Sequence, residues 1–247
     1  MSGHSKWHNI KIKKQKVDQV RARMFSKISR EIMVAAKEGG SNPDGNARLR
    51  AAVDRAREAA MPNDNIQRAI QRGAGELTGA TYETVVYEGY APGGVAVMVE
   101  ALTDNRNRTA GEIRAIFTRH GASLGGGSVA WMFERQGLVT VARGQHSEDD
   151  MLLAALEAGG EDVRTTDDAF EISTKPEDTY KVKQALAGRG FTVTGAEVTM
   201  HPKNTVRVEG KDAQHVLRLM DALEDHDDVQ AVHANFDIPD EVMQQVG

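Results

Sequence analysis

Basic residues near the start of the chain, together with one aromatic residue, could bind the phosphate groups of a nucleic acid. Residues 1–30 contain nine lysines and arginines, and only Asp18 opposes them. A lysine-rich arm with an aromatic side chain suits a track of phosphates and one stacked base. We therefore predict nucleic-acid binding by Lys6, Trp7, Lys11, Lys13, Lys14, Lys16, Arg21, Arg23, Lys27 and Arg30.

Three of these residues, Arg23, Lys27 and Arg30, are spaced four and three residues apart. This spacing places them on one face of a helix, separate from the apolar stripe of the same helix. Core packing therefore does not explain them. A charged helix face is often only solvated, and that alternative stays open for these three residues taken alone.

A second cluster that could bind an anion lies in the run Asp104-Asn105-Arg106-Asn107-Arg108-Thr109, just before a predicted helix. A helix N-terminus attracts anions through its free N–H groups, and an arginine side chain can form two parallel hydrogen bonds to phosphate oxygens. Arg106 and Arg108 are therefore added to the predicted nucleic-acid contacts. The structural alternative is that Thr109 caps the helix while Asp104 pairs with the arginines. The two interpretations are equally supported, and both can hold.

The other polar clusters are weaker evidence for a catalytic or ligand-binding site. The sequence has no P-loop, dinucleotide-binding, zinc-protease or nucleophile-elbow motif, so we expect no catalytic site, no cofactor and no metal. His4 and His8 have the spacing of helical metal ligands, but solvated side chains are the expectation. Residues 224–228 (EDHDD) could hold a hard cation, although a solvated turn is more usual. Residues 125–127 (GGG) could cradle a phosphate, although a tight connection is favoured.

Charge is distributed very unevenly along the 247 residues. Residues 1–76 hold 16 Lys and Arg against 8 Asp and Glu, whereas residues 145–247 hold 9 against 22. The intervening segment is neutral, so the net charge of −5 conceals a basic first domain and an acidic last third. Such asymmetry favours a polyanion-binding module joined to acidic ones.

Composition excludes several classes of protein. The chain has no cysteine, which excludes disulfides, thiolate zinc sites and cysteine nucleophiles. Hydrophobic residues make up 40% of the chain, enough for a folded core. Because no apolar run approaches the length that spans a bilayer and the first residues lack a secretory pattern, we expect a cytoplasmic protein without a membrane partner.

The apolar pattern predicts three helices before residue 76. One stripe contains Val17, Val20, Met24, Ile28 and Ile32, and ends at Gly39-Gly40. A second runs from Leu49 to Ala60, and a third follows Asn63. These residues form the predicted first domain, 1–76, a basic arm followed by a helical unit.

The pattern then changes to strands and helices. Residues 138–200 predict the order βαββαβ, which is the ferredoxin-like signature. Before it we predict strands at 83–90 and 94–103, separated by a Pro-Gly-Gly turn, then a helix at 109–120 and a strand at 128–134. After it we predict a strand at 204–209, a helix at 211–224 and a strand at 229–237.

These elements predict an α+β protein with an N-terminal three-helix domain and two ferredoxin-like α/β domains, one inserted in the other. The split α/β domain would comprise 80–135 and 201–247, and the inserted domain 138–200.

The chain resembles the YebC/PmpR family, and the matching motifs follow one another along nearly its whole length. They are GHSKW at 3–7, AAK-GG at 35–40, Asn46, LRAAV at 49–53, YEGYAPGG at 87–94, TDNRNRT at 103–109, GSVA at 127–130, LED at 223–225 and DDVQ at 227–230.

The resemblance implies a cytosolic three-domain protein without a catalytic site. It further implies a probable transcriptional regulator that binds DNA, in a family whose mitochondrial branch activates translation of a cytochrome oxidase subunit and whose bacterial members are linked to ribosomes. The sequence therefore supports two hypotheses: a DNA-binding transcriptional regulator, or a translation factor that binds ribosomal or messenger RNA, with the ribosome as its partner. An enzyme acting on a small-molecule substrate in a central cleft is a distant third.

Overall fold

The computed structural model describes residues 17–78, 80–125, 127–166, 169–239 and 242, and only the backbone of residues 17–20. The described chain combines helices with antiparallel sheets and begins with a helical domain, which confirms the predicted α+β class. None of the described helices has the length and apolar character needed to cross a bilayer.

The first domain consists of helices α1 (Val17–Gly39), α2 (Ala47–Glu58) and α3 (Asn63–Gly73). Their apolar stripes meet in a core that includes Ile32, Leu49 and Ile66. The predicted stripe of α1 is wrong at Met24, which is 41% exposed, while Phe25 packs against the core instead. Ala60, predicted in the second stripe, is also exposed, in a turn after α2 where its φ is 58°. The side chains of Val17 and Val20 lie outside the described residues, and the other stripe residues follow the predicted periodicity.

Buried Asn46 joins the end of α1 to the start of α2. Its Oδ1 accepts the N–H of Leu49 at 3.0 Å, which caps α2, and its Nδ2 donates to the carbonyl oxygens of Ala35 and Gly40. A Cβ on Gly39 would lie 2.6 Å from this amide, so glycine is required there.

The inserted sheet contains β4 (Phe133–Ala142), β5 (Asp162–Thr165), β6 (Ala169–Thr174) and β7 (Val193–Pro202). Its strand order is β5-β6-β4-β7, with all pairs antiparallel. Helices α5 (Glu148–Ala158) and α6 (Thr179–Gly188) contribute to one core with this sheet. The element order is the predicted βαββαβ.

The predicted break between strands 128–134 and 138–142 is wrong. Only residues 133–134 of the predicted strand 128–134 are extended: they begin β4, which continues without a break to Ala142, while Ala130–Met132 form a 3₁₀ turn. Gly137, which lies between the two predicted strands, is in the middle of β4, and a Cβ there would fall 1.9 Å from the Thr179 hydroxyl and 2.2 Å from that of Thr174. Glycine therefore allows a close approach here rather than ending the strand.

The split sheet surrounds the inserted one in sequence. It contains β1 (Glu83–Ala91), β2 (Val95–Thr103), β3 (Ser123–Leu124) and β9 (Val229–Ala234), in the order β3-β1-β2-β9. Helices α4 (Arg106–Arg119) and α7 (Gly210–Glu224) pack on it through residues such as Phe117 and Leu217. The predicted turn at residues 92–94 is confirmed, with φ values of 77° and 79° at Gly93 and Gly94.

The predicted strand 204–209 is reduced to β8 (Val206–Arg207), and the predicted strand 229–237 is divided into β9 and β10 (Phe236–Asp237). β8 and β10 pair with each other in parallel, outside the four-stranded sheet. The limits of the three predicted domains stay a prediction; β4 and β7 extend slightly beyond the range 138–200.

Candidate nucleic-acid interface

The predicted arm residues Lys6, Trp7, Lys11, Lys13, Lys14 and Lys16 lie outside the described part of the chain. Arg21 is exposed near the start of α1. The other predicted contacts are on α1 and at the start of α4, and the structure brings Arg23, Lys27, Arg30 and Arg108 together around one acidic segment.

That segment, here called the acidic turn, comprises residues 224–228 and follows α7. Arg23 lies 3.1 Å from the carboxylate of Asp225, and Lys27 Nζ donates to the carbonyl oxygen of Glu224 at 2.7 Å. Arg30 contacts the carbonyl oxygen of Asp227 and the carboxylate of Asp228. The basic face of α1 is therefore packed against the acidic turn, and the expected solvation of this turn is wrong for its last residue.

Asp228 is the centre of this contact. Its side chain is only 5% exposed, and its carboxylate lies 3.1 Å from Arg30 and 2.7 Å from Arg108. Thr109 Oγ1 donates to the same carboxylate at 2.7 Å. Burial alone would raise the pKa of Asp228, but the hydrogen bonds from Thr109 and Arg108 and the charges of Arg108 and Arg30 hold that pKa below its ordinary value. Asp228 is thus a charged, fully partnered acceptor.

The start of α4 positions two of these donors. Asn105, not Thr109 as expected, caps this helix, since its side chain accepts the N–H of Arg108 at 3.1 Å. The hydroxyl of buried Thr109 lies 2.7 Å from the hydroxyl of Thr103. Because Thr109 donates its one hydroxyl proton to Asp228, it accepts the hydrogen bond from Thr103.

Both arginines of the loop have acidic neighbours. Arg108 lies 3.1 Å from Asp104, as the structural alternative expected, while Arg106 lies 3.8 Å from Glu83. The side chains of Arg106 and Arg108 nevertheless remain 64% and 44% exposed. Their predicted contact with a nucleic acid stays a prediction.

Glu112, His226 and Asp228 place their ligand atoms within 4.8 Å of one another, a distance that a metal ion could bridge. The N–H of Asp228 donates to His226 Nδ1, so Nε2 is left to donate to Glu112 at 3.0 Å. Because Arg30 and Arg108 already supply the positive charge beside Asp228, the cluster is held together as an ion-pair and hydrogen-bond network.

Tyr82 and Asp228 were not singled out from the sequence. The Arg30 guanidinium lies 5.4 Å from the centre of the Tyr82 ring, a cation–π distance. The sequence signals for Asp228 were its position in an acidic run and in the motif at 227–230, and neither distinguishes it from Asp227.

A second polar helix surface belongs to the same domain. Gln67, Arg68, Gln71 and Arg72 form an exposed face of α3, here called the α3 face, opposite buried Ile66, Ala69 and Ile70. Between α3 and α1 runs a groove of about 150 Å³, here called the α1–α3 groove, lined by Ser29, Met33, Asn65, Arg68, Ala69 and Arg72. The spacing of four residues within each Gln and Arg pair was a sequence signal for this face.

The residues that follow the glycine run, 128–130, bind a carboxylate of the protein itself. Glu88 accepts hydrogen bonds from Ser128 Oγ at 2.8 Å, Val129 N at 2.5 Å and Ala130 N at 3.2 Å. Burial would raise the pKa of Glu88, but these three bonds lower it below its usual value. Within the glycine run itself, the N–H of Gly125 donates to the backbone carbonyl oxygen of Glu88 at 2.8 Å, as suits the tight connection that the sequence favoured. An open cleft of about 460 Å³ lies beside these contacts.

Comparison with known proteins covers nearly the whole chain. A family model described as the TACO1/YebC protein N-terminal domain matches residues 5–76, and one described as the TACO1/YebC second and third domain matches residues 82–236.

Two similar relatives are each named a probable transcriptional regulatory protein. The one from Dictyoglomus turgidum is 56% identical over 248 residues and all of both chains. The one from Pelotomaculum thermopropionicum is 57% identical over 97% of this chain and all of its own. The crystal structure of the conserved hypothetical protein Aq1575 from Aquifex aeolicus is 50% identical, covers 93% of this chain and 95% of its own, and has a TM-score of 0.83.

Proposed function

Because this chain belongs to the TACO1/YebC family, we propose that it is a non-enzymatic regulator of gene expression that binds nucleic acid through its N-terminal domain in the cytoplasm. The observation that carries the proposal is the charge distribution. Residues 1–76 hold 16 basic against 8 acidic residues, while the last third of the chain is strongly acidic. Attraction to a phosphate backbone must therefore come from the first domain.

The arm residues supply the largest part of this attraction. Of the nine basic residues in 1–30, Arg23, Lys27 and Arg30 contact the acidic turn. The arm lysines precede α1 and lie within a segment that has no acid before Asp18. We assign the main phosphate contacts to Lys6, Lys11, Lys13, Lys14 and Lys16, with Trp7 as the stacking side chain.

Two targets are consistent with such binding. The names of the relatives support DNA and transcription as the first candidate. A protein that recognises duplex DNA by sequence must present a row of side chains to the base edges. The α1 face, formed by Arg23, Lys27 and Arg30, lies against the acidic turn and is not free to do so. This position favours RNA as the target, in a translational role. Binding by backbone and shape suits structured RNA well.

The test measures binding of the full chain to a labelled DNA duplex and to an RNA hairpin, by fluorescence anisotropy over a series of salt concentrations. Replacing Lys11, Lys13, Lys14 and Lys16 with Gln removes up to four phosphate contacts. We expect the log–log salt slope on duplex DNA to fall by roughly 3.6, at about 0.9 per contact.

The outcomes separate the candidates. Tighter binding to the hairpin than to the duplex, at equal salt, would assign the protein to RNA and translation, and the reverse would assign it to DNA. Failure of the wild-type chain to bind either probe would overturn the proposed function. An unchanged slope in the lysine variant would move the main contacts away from the arm.

A further inference from the structure

The α1–α3 groove gathers polar donors without a facing carboxylate in the described part of the chain. Arg68 and Arg72 lie one turn apart on α3, and Ser29 contributes a hydroxyl from α1. The described carboxylates of α1 are directed elsewhere: Glu31 and Glu38 pair with Arg55 and Arg48 of α2. The groove therefore carries positive charge that no acidic side chain in the described part of this domain neutralises.

Arg68 is held in place by neutral groups. Its Nε donates to the backbone carbonyl of Asp64 at 3.1 Å, and its Nη2 donates to Asn65 Oδ1 at 2.7 Å. Asp64 lies one turn before Arg68, yet the two side chains form no ion pair in the described structure. The guanidinium is thus oriented over the groove while its charge remains available to a ligand.

Close packing of the two helices makes the groove narrow. Gly73 approaches the α1 backbone so closely that a Cβ on it would lie 2.3 Å from the Met33 carbonyl oxygen. A larger residue would therefore push the end of α3 away from α1. Lys37 follows Met33 by one turn and is exposed on the same side of α1, which adds a third cation near the groove.

We propose that the α1–α3 groove binds a backbone phosphate of a nucleic acid, with Arg68 and Arg72 as its cationic ligands. The inference rests on the proposed function and deepens it, because it names a site that neither the arm nor the α1 face contains. A phosphodiester fits the donors: guanidinium groups pair with its two free oxygens, and the Ser29 hydroxyl and the Asn65 amide donate to the same atoms. DNA and RNA share this group, and the two probes distinguish them.

The experiment compares the wild-type chain with the Arg68→Gln/Arg72→Gln variant, on the same DNA duplex and RNA hairpin and over the same salt series. We expect affinity to fall roughly tenfold near 0.1 M salt, and the slope on duplex DNA to fall by about 1.8. The matched control is Arg143→Gln/Arg189→Gln, which removes the same charge from exposed ion pairs of the inserted domain. The control should bind within about twofold of wild type, since distant exposed charges are screened.

Each result decides the inference. If the groove variant binds like the control while the arm-lysine variant loses affinity, the groove assignment is wrong and the proposed function stands. If the wild-type chain binds neither probe, both are wrong. Loss of affinity in the groove variant on both probes supports a backbone site, and loss on one probe alone identifies which nucleic acid the groove binds.

Discussion

The first domain carries two basic helix faces whose surroundings differ completely. The face on α1, with Arg23, Lys27 and Arg30, is packed against the acidic turn of a segment about two hundred residues away in sequence. The α3 face, with Arg68 and Arg72, meets no such turn in the described structure. Similar residues at similar spacing thus serve two purposes. One face attaches the helical domain to the split domain, and the other is available for a ligand.

The comparison shows that formal charge is a poor measure of the charge a ligand meets. Arg30 is 15% exposed and its partner Asp228 is 5% exposed, so this pair is largely removed from water. Charges of this kind interact more strongly with each other than exposed ones and are screened less by salt. A nucleic acid would have to displace the acidic turn before it could contact Arg30.

The largest expected change in stability follows from neutralising Asp228, the acid that the basic face of α1 packs against. Asp228→Asn leaves Arg30 and Arg108 beside a neutral amide, and we expect a loss of about 2–3 kcal/mol in the free energy of unfolding. For a chain of this length that corresponds to a fall of roughly 5–10 °C in Tm. Differential scanning calorimetry measures it, with Asp225→Asn, whose ion pair is about half exposed, as the control. Equal midpoints for the two variants would show that Asp228 is not the centre of the contact.

A smaller effect is expected in the pH dependence of stability, which also tests the contact between α1 and the acidic turn. The pKa of Asp228 lies below its ordinary value of 3.8, so the carboxylate stabilises the folded protein above that pH. This contribution is lost as the pH falls through the folded-state pKa. We expect the difference in Tm between wild type and Asp228→Asn to be full at pH 6 and to shrink below pH 3.8.

Glu88 and Glu100, whose pKa values are also lowered, are present in both proteins and cancel in this difference. A gap that stays constant down to the acid unfolding transition would contradict the assigned ion pair.

The smallest changes in stability are expected for the exposed arginines of each face, Arg23 on α1 and Arg68 on α3. Arg23 and Asp225 are about half exposed, so Arg23→Gln should cost no more than about 1 kcal/mol. Arg68→Gln should change stability by about 0.5 kcal/mol or less, because within the described residues the hydrogen bonds of Arg68 go to groups of its own helix. Urea unfolding of both variants checks these values. Destabilisation by Arg68→Gln as large as that by Asp228→Asn would make the α3 face a structural element rather than a free one.

Most secondary structure could be predicted from the sequence, because periodicity and turn chemistry act locally. The Leu49 stripe, the turn at residues 92–94 and the βαββαβ order of the inserted domain all follow from residue types within a few positions of each other. The errors have a common cause. The strand break at residues 135–137 and the inward position of Met24 were expected from local pattern, whereas the close approach of Thr174 and Thr179 to Gly137 and the packing of Phe25 decided the outcome.

The candidate site likewise has features that the sequence predicts and features that only the fold decides. The clustering of basic residues in 1–76 and of acidic ones in 224–228 is visible in the sequence, because charge is a property of residue types. Which clusters meet is a property of the fold. Lys27 and Glu224 are 197 residues apart, and no periodicity relates them. Only the packing of α1 against the split domain placed Arg23, Lys27 and Arg30 on the acidic turn, because burial and distance, rather than composition, decide which charges neutralise each other.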